Sequence, residues 1–292
     1  MDLGGSSEGW MTTHERRASA LRFDTGGVYP KPAEPPLPGI LRGRLFRGRT
    51  ALIVGLAAVA PGCANLNLFS VNQDAELGAQ AYTEILGPEK LITSGADHAM
   101  VTRLMEELVE AARYEEPAMV DAFEWEVSLI DNDEVVNAFA LPGGKMAVYT
   151  GILPVAGSDA GLAVVMGHEI GHVIERHGTE AMTRQYGAAV LIEIVTDGAT
   201  AKELANVASS LVHLKFGRSA ELEADRRGLM YMARAGYDPR EAREFWTRMS
   251  QMGGDAPPEW LSTHPSHENR IRQIEELLKE AVPIYEANKA SN

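Results

Sequence analysis

The 292-residue chain has a single cysteine, Cys63, and no uninterrupted apolar run long enough for a transmembrane helix. One cysteine excludes a disulfide framework, a thiolate zinc site and an iron–sulfur cluster, because each of these needs several thiols. The longest apolar run, Ala51–Pro61, is about half the length that a bilayer requires. Basic residues are also few: 27 Lys/Arg against 41 Asp/Glu argue against a nucleic-acid-binding surface. An apolar content of 45% and a charged content of 23% indicate a globular protein.

The first 63 residues differ in composition from the rest. They carry eight Lys/Arg and five Asp/Glu, whereas residues 64–292 carry 19 and 36. Within them, Gly26–Gly43 contains five prolines, which is too many for a packed element. We therefore expect residues 1–44 to be a disordered leader or to precede the true start of translation.

An export signal is predicted over residues 45–63. Arginines at positions 42, 44, 47 and 49 precede the apolar stretch ALIVGLAAVA, which is followed by Pro61-Gly62-Cys63. The ending is similar to the lipobox of a bacterial lipoprotein, although Ala60 and Pro61 depart from the usual residues. The alternative is a non-lipidated signal that happens to end near a cysteine. The lipobox interpretation places a lipid anchor at Cys63 and the mature chain on the periplasmic side of a bacterial cell envelope.

Hydrophobic periodicity in the remainder predicts an α+β fold. Apolar residues recur at helical spacing over His98–Glu115, whereas Glu124–Ile130 alternates like a strand. Val135–Thr150 is predicted as two strand pieces joined by a turn at Pro142-Gly143-Gly144, followed by a long helix over Asp159–Gly178. Further helices are predicted over Glu180–Val195, Ala201–Leu214, Ser219–Ala235, Pro239–Met252 and His267–Ala281. The chain is therefore expected to be mostly helical, with one small sheet just before the central helix.

Residues 168–172 spell His-Glu-Ile-Gly-His, a pattern that predicts a metal site. On a helix, His168 and His172 lie about 40° apart and one turn apart, so both imidazoles project from one face. That spacing suits two nitrogen ligands on one zinc ion. Glu169 lies beside this face, where its carboxylate could take a proton from a metal-activated water. A surface helix with two solvated histidines is the alternative, but the helix is apolar nearly all round and is therefore expected to be buried.

A third protein ligand is needed, because catalytic zinc keeps three protein ligands and one open position. Glu221 and Asp225 are spaced to share one face of a second helix, whereas Glu223 points elsewhere. One of the two carboxylates would bind the metal, and the other would accept the free ring N–H of a ligating histidine. The alternative is an ordinary acidic, solvated helix face.

Other histidines are not assigned to the site. His177 follows His168 by nine residues, which on a continuous helix places it on the opposite side. It is therefore predicted not to be a ligand. His267, near a predicted helix start, is interpreted as structural.

Four ordered motifs then carry a resemblance to a known family. They are GHEIGHVIERH (Gly167–His177), SAELEADRRG (Ser219–Gly228), NAFALPGG (Asn137–Gly144) and THPSHENRI (Thr263–Ile271). Over roughly residues 74–278 the chain resembles the gluzincin zinc metallopeptidases that include CAAX prenyl protease type one, HtpX, Oma and the BepA-like proteins. Because it lacks transmembrane helices, it is similar to the soluble, lipoprotein-like periplasmic branch.

The resemblance implies a zincin-type domain over residues 72–285 that holds one Zn²⁺ per chain. It implies His168, His172 and Glu221 as zinc ligands, Glu169 as general base and Asp225 as the partner of a ligating histidine. The spacing argument selects the same five residues and leaves open only which carboxylate binds the metal.

The resemblance also implies a substrate-binding edge strand at Asn137, Ala138, Phe139 and Ala140, flanking the active-site helix. An exposed edge can take up an extended peptide by β-augmentation and so fix the scissile carbonyl near zinc. An ordinary buried strand is the alternative.

Two further residues are implied by the last motif. His264 could cover the open zinc position or stabilise the oxyanion, and Arg270 could orient a carboxylate. The alternative for both is a loop anchor beside Pro265.

The function expected from these features is a zinc-dependent endopeptidase. It would hydrolyse internal peptide bonds of exported proteins, misfolded or envelope ones, through a zinc-activated water with Glu169 as general base. The alternative is a zinc-bound chaperone or assembly quality-control factor with a shielded, weakly active site, in which the Gly253–Pro265 loop is the cover. Its partners would be outer-membrane assembly proteins.

Overall fold

The structure is a computed structural model that describes residues 67–196, 207, 210–252, 258–264 and 269–291, without the side chains of 187–196 and 291. The leader expected over residues 1–44, the signal expected over residues 45–63 and the anchor expected at Cys63 lie outside these residues. Most of the helix expected over Ala201–Leu214 also lies outside them, as do His267 and residues 253–257 and 265 of the expected loop Gly253–Pro265. Within that predicted loop, Glu259–Thr263 forms a short helix instead.

Helices predominate in the described part of the chain, and one four-stranded sheet accompanies them, which confirms the α+β expectation. A short 3₁₀ turn, Thr150–Ile152, joins β4 to α4. In chain order the elements are α1 (Val71–Leu86), β1 (Leu91–Ile92), α2 (Ala96–Glu115), α3 (Pro117–Asp121), β2 (Glu126–Ile130), β3 (Ala138–Leu141), β4 (Lys145–Tyr149), α4 (Leu153–Ala156), α5 (Asp159–Ile174), α6 (His177–Thr196), α7 (Arg218–Arg234), α8 (Glu241–Gln251), α9 (Glu259–Thr263) and α10 (Arg270–Ser291).

The strand order is β1–β2–β4–β3, so β3 lies at one edge of the sheet. β3 and β4 form an antiparallel hairpin in which Ala138 is paired with Val148, and β4 pairs in parallel with β2. The hairpin turn has φ angles of 82° at Gly143 and 95° at Gly144, which glycine adopts without steric cost. The two strand pieces and the turn agree with the sequence prediction.

The helix α5 lies at the centre of the main hydrophobic core. Its residues from Gly161 to Ile174 are all buried, as a helix that is apolar nearly all round requires. Residues of α2, α7, α8 and α10 pack around it, among them Leu104, Leu229, Phe245 and Ile274. The polar residues of the His-Glu-Ile-Gly-His motif therefore lie inside the protein, and the alternative of a solvated surface helix is wrong.

Small residues bring α5 and α7 into unusually close contact. A Cβ atom at Gly228 would lie 2.7 Å from the carbonyl carbon of Gly167, and one at Gly171 would lie 2.9 Å from the carbonyl oxygen of Ala224. Neither space admits a methyl group, because non-bonded carbon atoms pack at about 3.5–4.0 Å. The backbones approach closely enough for side chains of α7 to reach those of α5.

One helix boundary differs from the prediction. The sequence predicted a single helix over Asp159–Gly178, but α5 ends at Ile174 and α6 begins at His177. The break lies at Arg176, whose φ of 57° is a left-handed conformation that arginine rarely adopts. Its guanidinium is held by the buried carboxylate of Asp74, at 2.5 Å, and by a backbone carbonyl. This tertiary contact stabilises the break, which the uninterrupted apolar periodicity does not indicate.

Among the described residues, no single helix is long and apolar enough to cross a bilayer. Only Thr150–Ala156 and Asp159–Ile174 taken together reach that length and composition, and they are bent by 120° relative to each other.

Candidate metal centre

Four buried side chains from three parts of the fold converge between α5 and α7. They are His168 and His172 on α5, Glu221 on α7 and His264 directly after α9, and one donor atom of each lies within 4.8 Å of the other three. His172 Nε2 is 3.0 Å from His168 Nε2, and His264 Nδ1 is 3.2 Å from His168 Nε2 and 3.0 Å from Glu221 Oε1. The sequence predicted the first three of these as ligands.

The chemistry of these donors fits a zinc ion. Three imidazole nitrogens and a carboxylate are ligands that Zn²⁺ accepts, and four donors match its tetrahedral preference. All four side chains are at most 3% exposed. Burial lowers the pKa of His172 to about 4, with the neighbouring His168 and His264 adding to the effect. His172 is therefore neutral at physiological pH, as a metal ligand must be.

Asp225 is within hydrogen-bond distance of His168. Its Oδ1 lies 2.8 Å from His168 Nδ1, which leaves Nε2 facing the other donors. Burial alone would raise the pKa of the Asp225 carboxyl, but Arg270 and His168 outweigh burial and lower it. The ionised carboxylate can accept the ring N–H and so fix the tautomer in which Nε2 is free to bind a metal.

Arg270 connects the two carboxylates of α7. Its Nη1 donates to Glu221 Oε2 at 2.5 Å and its Nη2 donates to Asp225 Oδ1 at 2.7 Å. The guanidinium is 1% exposed and lies over the Trp246 ring at 3.9 Å. Burial would raise the pKa of Glu221, but the charge of His264 and the hydrogen bonds from His172 and His264 outweigh it and lower that pKa. Arg270 thus contacts both Glu221 and Asp225, and its role in orienting them remains a prediction.

Glu169 lies beside the four donors and is not one of them. Its Oε2 accepts the backbone N–H of Ala140 at 3.1 Å, and its Oε1 accepts the indole N–H of Trp260 at 3.0 Å. The carboxylate is therefore fixed at the rim of the donor cluster. Sequence reasoning missed Trp260, because no spacing rule connects α9 to α5.

Of the predicted substrate strand, Asn137–Ala140, the last three residues lie in the edge strand β3, and Asn137 directly precedes it. The carbonyl of Asn137 accepts from Tyr149 N, so by antiparallel alternation the backbone groups of Ala138 and Ala140 face away from β4. Both outward N–H groups have acceptors, the Asn137 side chain for Ala138 and Glu169 for Ala140. The side chains of Ala138 and Phe139 are buried, whereas that of Ala140 is partly exposed.

His264 lies inside the donor cluster, so it is more than a loop anchor. Its Nε2 is 3.3 Å from Glu169 Oε1, and its ring stacks on Phe216 with 5.3 Å between centroids. Phe216 also stacks on His172, at 4.1 Å. Burial would lower the pKa of His264, but the charges of Glu169 and Glu221 raise it. The ring therefore lies where it can contribute a fourth donor to the cluster.

The sequence predicted that His177 lies on the side of the helix opposite His168, and this prediction is wrong. Because α5 ends three residues earlier, His177 folds back, and its Nδ1 lies 3.0 Å from His172 Nδ1. It is not among the four converging donors, and burial lowers its pKa to about 3.

The chain is similar to several characterised metallopeptidases. It is 41% identical over 169 residues to the mitochondrial metalloendopeptidase OMA1 of Arabidopsis thaliana, covering 57% of this chain and 34% of that protein. It is 35% identical over 225 residues to the OMA1 of Schizosaccharomyces pombe, covering 74% and 64%. It is 28% identical over 229 residues to the beta-barrel assembly-enhancing protease of Escherichia coli, covering 74% and 46%. The chain thus spans between about a third and two thirds of the length of these relatives.

The profile of Peptidase family M48 matches residues 96–278, which include every donor of the cluster. That match covers well over half of the chain, so the protein belongs to Peptidase family M48.

Proposed function

We propose that this protein is a zinc-dependent endopeptidase that hydrolyses internal peptide bonds. The observation that carries the proposal is the convergence of His168, His172 and Glu221, with the Glu169 carboxylate held beside them. A bound Zn²⁺ would polarise the scissile carbonyl and acidify the attacking water. His168, His172 and Glu221 would hold the ion, and family membership is consistent with these roles.

Glu169 acts as general base in this proposal. It takes a proton from the attacking water and delivers it to the leaving amine, as a carboxylate within reach of both can do. Its two hydrogen bonds, from Ala140 and Trp260, hold the carboxylate in one orientation. Asp225 and Arg270 do not touch the substrate; they orient His168 and Glu221.

An extended substrate would bind along β3 as a further strand. The backbone groups of Ala138 and the carbonyl of Ala140 are the outward partners, since the N–H of Ala140 is held by Glu169. The Asn137 side chain must release the N–H of Ala138 for a peptide to pair there. A small cleft lined by Ala140, His172 and Phe216 adjoins this edge. Buried side chains on β3 favour recognition of backbone over recognition of sequence.

The shielded-site alternative is supported by one observation, the position of His264. With His264 as a fourth donor the site is closed, whereas catalytic zinc keeps an open position. We therefore propose that His264 covers the metal at rest and leaves when a substrate binds. A chaperone or assembly quality-control role would correspond to a protein in which this cover is rarely displaced.

The substrates and location are proposed from the N-terminal sequence and from the relatives. The arginines, the apolar stretch and Cys63 favour a periplasmic protein anchored through lipid to a bacterial envelope membrane. One relative is named as a beta-barrel assembly-enhancing protease. We propose misfolded or envelope proteins as substrates and outer-membrane assembly proteins as partners.

The test compares the wild-type chain with Glu169→Gln. Both are loaded with zinc, incubated with a periplasmic extract and analysed by mass spectrometry for new peptide termini. The variant should keep its zinc and produce almost no new termini, since it cannot accept a proton. Cleavage by the variant at the wild-type rate would contradict the role of Glu169, and the absence of cleavage by either protein would favour the shielded alternative.

A further inference from the structure

His177 lies behind His172, on the side away from the four donor atoms. The two Nδ1 atoms are 3.0 Å apart, whereas His172 Nε2 faces His168 Nε2 at 3.0 Å and Glu221 Oε1 at 3.4 Å. His177 is 4% exposed and its Nε2 lies 3.5 Å from Glu223 Oε2. Neither His177 nor Glu223 has a part in the proposed function.

The positions of the ring protons on His172 and His177 can be assigned by elimination. A neutral imidazole carries one N–H, and a nitrogen that binds a metal cannot be the protonated one. If His172 binds through Nε2, its proton is on Nδ1 and points at Nδ1 of His177. His177 must then accept with Nδ1 and carry its own proton on Nε2, where the Glu223 carboxylate lies. Each nitrogen has one consistent role.

We propose that His177 is a positioning residue of the metal site, which accepts the Nδ1–H of His172 and donates its own N–H to Glu223. The proposal rests on the proposed zinc-dependent function. A hydrogen bond to the far nitrogen of a ligating histidine fixes its tautomer and ring orientation and raises its basicity. Asp225 does this for His168 directly, and His177 does it for His172 with Glu223 behind it.

The two other roles for His177 fit the geometry less well. A fifth ligand would have to turn a nitrogen toward the donor cluster, but Nδ1 faces His172 and Nε2 faces Glu223. A purely space-filling ring would leave the close contact of the two Nδ1 atoms without a function. It would also bury two polar nitrogens where a phenylalanine ring fits.

The helix break at Arg176 is what makes this contact possible. On a continuous helix His177 would face away from His172, but the left-handed conformation of Arg176 starts α6 in a new direction. The buried Asp74 holds that conformation through its ion pair with Arg176. The N-terminal helix α1 thereby supports the metal site, although it contributes no donor to it.

The experiment measures the Zn²⁺ affinity of the full chain by competition with a chelator at one fixed pH. The variants are His177→Phe, which keeps a ring but cannot accept, His177→Gln, whose amide oxygen can accept, and Glu223→Gln. The matched control is His213→Gln, a substitution of an exposed histidine. A proton NMR spectrum of each zinc-loaded chain reports whether the Nδ1–H of His172 is protected from exchange with water.

His177→Phe should weaken zinc binding by about 10–100-fold, the usual cost of removing such a partner, and should lose the protected proton. His177→Gln should recover most of the affinity and the protected proton. Glu223→Gln should cause a smaller loss, and none in the His177→Phe background. His213→Gln should bind like the wild type.

Wild-type affinity and a protected proton in His177→Phe would overturn the proposal. If His177→Phe does not fold, as judged by circular dichroism, Glu223→Gln decides, because Glu223 is half exposed and not part of the core. Unchanged zinc affinity in that variant would then overturn the proposal. A wild-type chain that binds no zinc would overturn the proposed function itself. This outcome is distinguishable from a wild-type chain that binds zinc with an affinity that the His177 substitutions do not change.

Discussion

Arg270 donates to Glu221 Oε2 at 2.5 Å, and neither side chain is more than 1% exposed. Removing one partner from such a pair leaves an uncompensated charge in the protein interior. The same guanidinium also contacts Asp225, so it balances two carboxylates next to the proposed metal. The stability of the metal-free site therefore depends on an arginine that binds no metal.

Arg270→Met should lower the free energy of unfolding of the metal-free chain by about 3–5 kcal/mol. The loss should be smaller when zinc is bound, because the ion then balances the Glu221 charge. Urea unfolding with and without zinc measures both values. Arg272→Met, an exposed neighbour on α10, is the control and should change stability by less than about 0.5 kcal/mol. Equal stability of the Arg270→Met and wild-type chains would contradict the assignment.

His264→Ala should increase the hydrolysis of an unfolded protein such as casein. If the cover leaves the site in only about a tenth of the molecules, its removal raises the rate about tenfold. Zinc should remain bound, because His168, His172 and Glu221, the three ligands proposed to hold it during catalysis, are unchanged. The sign of the effect separates the two roles expected for His264: a rate that falls would identify it as an oxyanion stabiliser. His213→Ala, which changes an exposed histidine, should leave the rate unchanged.

Gly228→Ala should weaken zinc binding and lower the free energy of unfolding by about 1–3 kcal/mol. The new methyl group would lie 2.7 Å from backbone atoms of Gly167 and His168, so α5 and α7 must move apart. Glu221 would move away from the histidines with them. Zinc titration and urea unfolding test this, with Gly87→Ala as the control because its Cβ meets only an ordinary contact at 3.4 Å. Wild-type zinc affinity in Gly228→Ala would show that the close packing is not needed.

The metal-free chain should lose stability as the pH falls from about 6.5 to about 4. Burial lowers the pKa of His172 from 6.5 to about 4, so in this interval the unfolded state binds a proton that the folded state does not. His177 contributes in the same direction. His264, whose pKa is raised, titrates above this interval. Urea unfolding at a series of pH values should show that the free energy of unfolding changes less steeply with pH in His172→Phe than in the wild type. A wild-type free energy of unfolding that stays constant over this pH interval would contradict the prediction.

The sequence was informative where local spacing determines geometry. A spacing of four residues places two side chains on one face of a helix, whatever the rest of the fold. This spacing separates His168 from His172 and Glu221 from Asp225. The hairpin around Pro142-Gly143-Gly144 was confirmed for the same reason, since turn chemistry is local.

The contacts that the sequence did not reveal are tertiary. The contact between Trp260 and Glu169 depends on the path of the chain after α8, and hydrophobic periodicity does not predict that path. The break before His177 depends on a distant carboxylate, that of Asp74. One available signal was missed: Gly167, Gly171 and Gly228 recur beside the metal-site residues and could have indicated closely packed helices.

Zinc binding at equilibrium tests most directly whether the side chains from α5 and α7 hold one metal ion. The full chain should retain one Zn²⁺ per molecule after dialysis against chelator-buffered zinc, and Glu169→Gln should retain the same amount. His168→Phe and Glu221→Gln should each lose the ion under those conditions. Wild-type protein that holds no zinc, or undiminished zinc in both of the latter variants, would contradict the proposed site.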